Sequence, residues 1–337
     1  MTILIPILIA IFLAINMGGS GTSPSFSAAY GANIIKKSYI PILFGTFVLL
    51  GALIAGEKVI TTIGGSVLPA DVMSSTVVSI VLLSSALSIF FANLLRVPQS
   101  TSQSTVFSLV GCAVPLGVLE SSKLFYEILP TWLIMPLISF LVTYGLGYSL
   151  IKVRKSINNI NFDNISNYKL WKYITIACSC YVAFSIGSNN VANSVGPIVS
   201  LAFNEFGSSG NNSFVLLFSI ILIAPFFGIG SAFFGKNVTA TVGREITQIG
   251  VTEATIISLI TATLLLIAST TRGIPTSLVQ MNTFAVIAVG MLKDGPRSII
   301  SKLSVAKLFS VWIIAPIIAM AISYLLTHLS LYLLLLP

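Results

Sequence analysis

Apolar runs long enough to cross a bilayer of about 30 Å recur from one end of the chain to the other, and no polar block of domain size separates them. They predict spanning helices over 2–17, 39–55, 72–95, 105–119 and 129–151, then over 173–186, 214–234, 255–268, 283–292 and 309–336. The run at 283–292 is too short as drawn to span alone. Between the two sets lies a polar stretch, 152–172, carrying Lys152, Arg154, Lys155, Lys169 and Lys172. The positive-inside rule puts it in the cytoplasm. Residues 1–151 form a first transmembrane unit, 152–172 a basic cytoplasmic loop and 173–337 a second unit, together one membrane domain.

Composition narrows the class. Hydrophobic residues make up 55% of the chain and charged ones 8%, whereas soluble domains carry about a quarter charged residues. The net charge of +8 is scattered through short loops rather than gathered on one soluble face, which argues against nucleic-acid binding. No Lys or Arg precedes the first apolar run, so that run is read as part of the fold rather than as a leader. Cys112, Cys178 and Cys180 lie in or beside apolar segments, and His328 is the single histidine. These thiols read as buried and inert, with no metal-ligand spacing.

Three strings recur in order in both halves. Residues 18–32 (GGSGTSPSFSAAYGA) match 187–201 (GSNNVANSVGPIVSL), 56–64 (GEKVITTIG) match 235–243 (GKNVTATVG), and 97–103 (VPQSTSQ) match 274–280 (IPTSLVQ). The partners stand 169, 179 and 177 residues apart. Such near-constant offsets predict two structural repeats, and an odd number of crossings in each would invert one relative to the other. The Gly-, Ser- and Asn-rich strings fall at membrane depth, where irregular chain survives only inside protein or along a watery cavity. Broken or re-entrant helices are therefore expected at 18–27 and 185–200, although small residues also serve simply to let helices pack closely. In the third pair a proline precedes hydroxyls and a glutamine, as at a helix start, where free N–H groups suit an anion.

These strings resemble those of the inorganic phosphate transporter family, including its sulfate-permease branch, over essentially the whole chain. The resemblance implies an all-α polytopic fold of two inverted-topology repeats, about five spans each, and cation-coupled uptake of an oxyanion held between the halves. The family's G-A-N-D-V-A-N string falls on Gly187, Ser188, Asn189, Asn190, Val191, Ala192 and Asn193. In the first half it falls on Gly18, Gly19, Ser20, Gly21, Thr22, Ser23 and Pro24. The aspartate is thus replaced by Asn190 and by Gly21. Sulfate has only acceptor oxygens at neutral pH, so a carboxylate would repel it, whereas phosphate still has a proton to donate. Loss of both aspartates favours sulfate, unless it reflects only a changed coupling-ion site.

The expected substrate ligands are Ser100, Thr101, Ser102, Gln103, Thr276, Ser277 and Gln280, with Ser20, Asn189 and Asn190. Moving a dianion inward against 100 mV costs about 2.3 kcal/mol per charge, so uptake needs a coupling cation, H+ or Na+. A proton relay would use Glu57 and Glu245, in or just after the middle motif. Sodium would instead use oxygens of Asn16, Ser20, Ser185, Asn189 and Asn193. Lys58 and Lys236 read more readily as interface lysines than as lining of the anion's path. The predicted function is a plasma-membrane symporter importing sulfate or a related tetrahedral oxyanion. A phosphate symporter of the same fold is the nearest alternative and an anion channel the weaker one. No cofactor, resident metal or enzymatic motif is expected: HExxH and G-x-S-x-G are absent. The partners are the anion and the bilayer; the sequence does not set the oligomeric state, and a homodimer is compatible with it.

Overall fold

A computed structural model describes residues 3–95, 99–156, 169–206, 212–238 and 246–336. Its long helices are α1 (Leu4–Gly31), α2 (Ile40–Ala55), α3 (Glu57–Gly65), α4 (Ser75–Leu94), α5 (Thr101–Leu116) and α6 (Leu129–Ser156). They continue with α7 (Lys169–Asn190), α8 (Ala192–Phe206), α9 (Asn212–Ile223), α10 (Pro225–Val238), α11 (Val251–Arg272), α12 (Leu278–Asp294), the short α13 (Pro296–Ile300) and α14 (Leu303–Tyr332). Among the described residues, eight helical segments are long and apolar enough to cross a membrane, which makes this a polytopic all-helical membrane protein.

The expected spans at 105–119 and 283–292 are not among those eight. They correspond to α5 and α12, of 16 and 17 residues. At 1.5 Å per residue each is about 25 Å long, short of the hydrocarbon thickness. Both start inside the protein: Ser100 and Ser277 are 1% and 4% exposed. Each packs against the helix before it, α5 on α4 and α12 on α11, and the tip of the second pair, 273–277, is buried.

The first Gly- and Ser-rich string does not break its helix as expected. Through 18–27, α1 runs on to Gly31, because its hydroxyls fold back on carbonyls of the same helix: Ser20 Oγ to Met17 O at 3.0 Å, Thr22 Oγ1 to Gly18 O at 2.7 Å and Ser25 Oγ to Gly21 O at 2.9 Å. Polar side chains satisfied in this way leave the backbone ladder intact. The second string does break, at Val191 between α7 and α8. The expected span at 214–234 is likewise two helices, parted at Ala224.

Glycines of the first pair serve close packing. A Cβ on Gly18 would lie 2.1 Å from the Phe227 carbonyl oxygen of α10, and one on Gly187 would lie 2.0 Å from that of Val48 in α2. The crossings are reciprocal, for Gly230 meets Ile15 O and Gly51 meets Phe184 O in the same way, at 1.9 Å each. Gly18 and Gly187, with Gly230 and Gly51, thus let two pairs of helices approach without side chains between them. At the polar stretch the helices extend further than the pattern suggested, to Ser156 and from Lys169.

Candidate functional site

The two buried helix starts are built alike. Ser100 caps α5 by accepting from Gln103 N at 3.3 Å, and Ser277 caps α12 by accepting from Gln280 N at 3.2 Å. The caps leave other first-turn N–H groups, with the positive ends of two helix dipoles, turned to the same region. Gln103 and Gln280 then bond each other reciprocally, Nε2 to Oε1 at 3.1 Å and 3.0 Å. Pro275 stands two residues before its cap rather than in the first turn, and Pro98 lies outside the described residues.

The second tip, 273–277, is irregular chain in a buried place, and other elements satisfy its carbonyls. Lys58 of α3 donates to Thr270 O at 2.7 Å and Thr271 O at 3.3 Å, at the end of α11. Asn189 of α7 donates to Ile274 O at 3.0 Å, and Trp132 Nε1 of α6 donates to Pro275 O at 2.7 Å. Much of the backbone that would be costly in lipid is thereby paired. Lys58 is exposed but engaged, an end-of-helix cation rather than a side chain reaching for the interface.

Asn189 also joins the halves. Its Oδ1 accepts from Thr276 N at 3.1 Å and Ser102 Oγ at 3.3 Å, while its Nδ2 donates to Ser269 Oγ at 2.8 Å. Ser102 Oγ in turn accepts from Asn193 Nδ2 at 3.3 Å. Asn189, Ser102, Gln103 and Gln280 are therefore committed to one another as a wall. The remaining predicted ligands, Ser20, Ser100, Thr101, Asn190, Thr276 and Ser277, line a pocket of about 10 Å³ at the junction, room for one water-sized sphere. Gly21, Pro24 and Gln99 line it as well. Sequence reasoning passed over Gln99 although it occupies, beside Pro98, the place that Thr276 takes beside Pro275.

A vestibule of about 1180 Å³ adjoins this pocket and shares Ser20, Pro24 and Val279 with it. Its lining runs to Lys37, beyond the end of α1, and to 248–251, at the start of α11. Among the described residues no carboxylate lines either space.

The proposed coupling-ion residues separate. Asn16, Gln99, Asn190 and Asn193 are each at least nine-tenths buried, and their amide oxygens have no hydrogen-bond partner. Asn16 Nδ2 donates to Phe12 O at 2.8 Å, and the Asn16 backbone carbonyl accepts from Asn93 Nδ2 of α4 at 3.0 Å. Ser185 spends its hydroxyl on Val182 O at 2.8 Å. Glu57 is not brought to the site: it sits exposed in the first turn of α3, an interface position for a charge that nothing in the core pairs. Glu245 and most of the second middle string, 239–243, lie outside the described residues. Among the described residues no cluster of His, Cys, Asp and Glu could hold a metal ion.

Two helix starts that meet inside a polytopic protein, next to a large cavity, fit a membrane transporter. The chain belongs to the phosphate transporter family, whose model matches residues 17–323. It is 34% identical over 330 residues to the sulfate permease CysP of Bacillus subtilis, covering 96% of this chain and 87% of that one. A putative phosphate permease of Methanocaldococcus jannaschii is 25% identical over 324 residues, 96% of each chain. Among solved structures, a sodium-dependent phosphate transporter superposes with a TM-score of 0.82 at 21% identity, over 98% of this chain and 99% of that one. Family membership makes this protein a multi-pass anion transporter of the membrane.

Proposed function

We propose that the protein is a symporter that imports sulfate, or a related tetrahedral oxyanion, together with a coupling cation, and that its halves are inverted repeats. The observation that carries the reading is the meeting of the α5 and α12 starts, their glutamines bonded across the junction. Two helix N-termini aimed at one place favour negative charge without a fixed cation, so the anion can also leave. Asn190 and Gly21, where the family has aspartates, support sulfate, because no carboxylate repels an ion that has no proton to donate. The pocket is smaller than any tetrahedral oxyanion, so binding requires the helix starts to part, the kind of motion an alternating-access cycle uses.

The cation is best read as a metal ion of the sodium class. Hard cations take oxygen ligands, and the buried amide oxygens of Asn16, Asn190 and Asn193 lack donors. Pro24 adds to this supply, since it has no N–H for the Ser20 carbonyl four residues earlier. A proton relay has less support, since among the described residues no carboxylate lines the pocket and Glu57 is exposed away from it. The test is uptake of radiolabelled sulfate and phosphate into proteoliposomes under an imposed Na+ or pH gradient. Sulfate accumulation above equilibrium, driven by Na+, is expected. Preferential phosphate uptake defeats the substrate assignment, accumulation driven only by pH defeats the cation assignment, and equilibration without accumulation indicates a channel.

A further inference from the structure

Gln99 is 2% exposed and sits where the start of α5 meets the central pocket. Its side-chain nitrogen donates to Ser88 Oγ at 3.0 Å and to Ser104 Oγ. An amide can usually be turned over, exchanging donor for acceptor, but here the serines decide its orientation. Ser88 has given its hydroxyl proton to Ala315 O at 2.9 Å, and Ser104 has given its own to Ser100 O at 3.3 Å. Each can therefore only accept from Gln99, which fixes the nitrogen towards them. Gln99 lines the pocket and neither serine does, and Oε1, the amide atom not turned to the serines, is enclosed by protein and has no partner. Asn190 Oδ1 is also unpartnered at the same pocket, but no such serine pair holds its amide in one orientation.

A locked, unpaired acceptor in a buried pocket asks for a donor, and leaving it unmet carries the full cost of its desolvation. A hydrogen-bearing oxyanion, such as monohydrogen phosphate, supplies that donor from its own O–H. Sulfate offers only acceptor oxygens and meets the amide oxygen with repulsion. We propose that Gln99 is a specificity-determining residue, the fixed acceptor by which the central pocket gains affinity for proton-bearing oxyanions relative to proton-free ones. The inference rests on the transport reading above and concerns the ratio between the two anions, whichever the protein carries faster. It sets Gln99 against the effect of the lost aspartates: one weak acceptor remains where two strong ones are gone.

The test compares the full-length protein with Gln99→Leu and with the double variant Ser88→Ala/Ser104→Ala, each reconstituted in proteoliposomes. The readout is the ratio of phosphate to sulfate uptake efficiency. Gln99→Leu removes the acceptor, and the ratio is expected to fall about fivefold, the worth of one hydrogen bond. The serine double variant leaves Gln99 in place but frees its amide to turn its nitrogen to the pocket, and the ratio should fall in the same direction. A purely structural role would lower both uptakes together and leave the ratio alone. The assignment is overturned if both variants keep the wild-type ratio within twofold, or if both insert in the membrane yet lose the two anions equally. Wild-type protein that carries neither anion overturns the transport reading itself.

Discussion

The reciprocal amide pair between Gln103 and Gln280 makes the sharpest energetic prediction. Each side chain gives and receives one hydrogen bond, at 3.1 Å and 3.0 Å, and both residues are 7% exposed. Replacing one by methionine, which keeps the length and removes the amide, leaves the other with both an unpaired N–H and an unpaired carbonyl. Each buried orphan costs about 1–3 kcal/mol, so either single variant should lose roughly 2–4 kcal/mol once some water reaches the gap. Replacing both removes donor and acceptor together and should cost far less than the sum, because apolar groups of similar shape can substitute for a bonded pair almost neutrally. Gln103→Met, Gln280→Met and the double variant, unfolded at equilibrium in mixed micelles, should therefore show a coupling energy of roughly 4 kcal/mol. Sulfate uptake should drop in each single variant and recover partly in the double one. Additivity within about 0.5 kcal/mol would mean that the glutamines do not meet, and the junction of the two helix starts would be lost with them.

Asn190→Asp, which restores a carboxylate to the pocket, should reduce sulfate uptake at least about tenfold more than phosphate uptake, as read by competition between labelled anions; equal losses would discredit the acceptor argument. Trp132→Phe keeps the ring stacked on Phe107 but leaves Pro275 O without its donor, and anion affinity should weaken by roughly tenfold as the tip loosens. An unchanged half-saturation concentration would show that the tip holds without Trp132. Gly187→Ala puts a methyl group against the Val48 carbonyl, and the forced shift of α2 from α7 should cost about 1–3 kcal/mol, measurable as lower thermal stability in detergent.

The helix starts were legible in the sequence because their chemistry is local: a proline followed by hydroxyls and a glutamine needs no distant partner to be recognised. The caps, however, are Ser100 and Ser277, and the helices begin before the predicted spans at 105 and 283. The same locality shows why the first Gly- and Ser-rich string misled. Its composition equals that of a broken helix, and only the orientation of the Ser20, Thr22 and Ser25 hydroxyls, each turned to a carbonyl three or four residues back, reveals a continuous one. Glu57 stood out by scarcity of charge along the chain, a property that says nothing about depth, and it lies exposed. Gln99 and Trp132 were hidden for the opposite reason. What matters about Gln99 is which of its two amide atoms is already committed, and that depends on hydroxyl protons given to Ala315 and Ser100. Trp132 matters through one carbonyl 143 residues away in sequence.

Among the described residues the pocket lining holds no lysine, arginine or carboxylate, which raises the question of how it holds a dianion at all. Taking two charges out of water costs many kcal/mol, and hydroxyls with helix-terminal N–H groups offset only part of that. On the proposed reading the coupling cation supplies the rest from close by, since Asn190 is both a pocket residue and a bearer of an unpaired amide oxygen, and the Ser20 carbonyl freed by Pro24 sits on the same wall. Each ion then lowers the cost of burying the other. Binding of either raises the affinity for its partner by the same factor, as linkage requires. Coupling in such a site needs no titrating group and no distant relay: a lone anion finds too little positive potential to stay, a lone cation too little negative, and only the pair is worth closing the helix starts around.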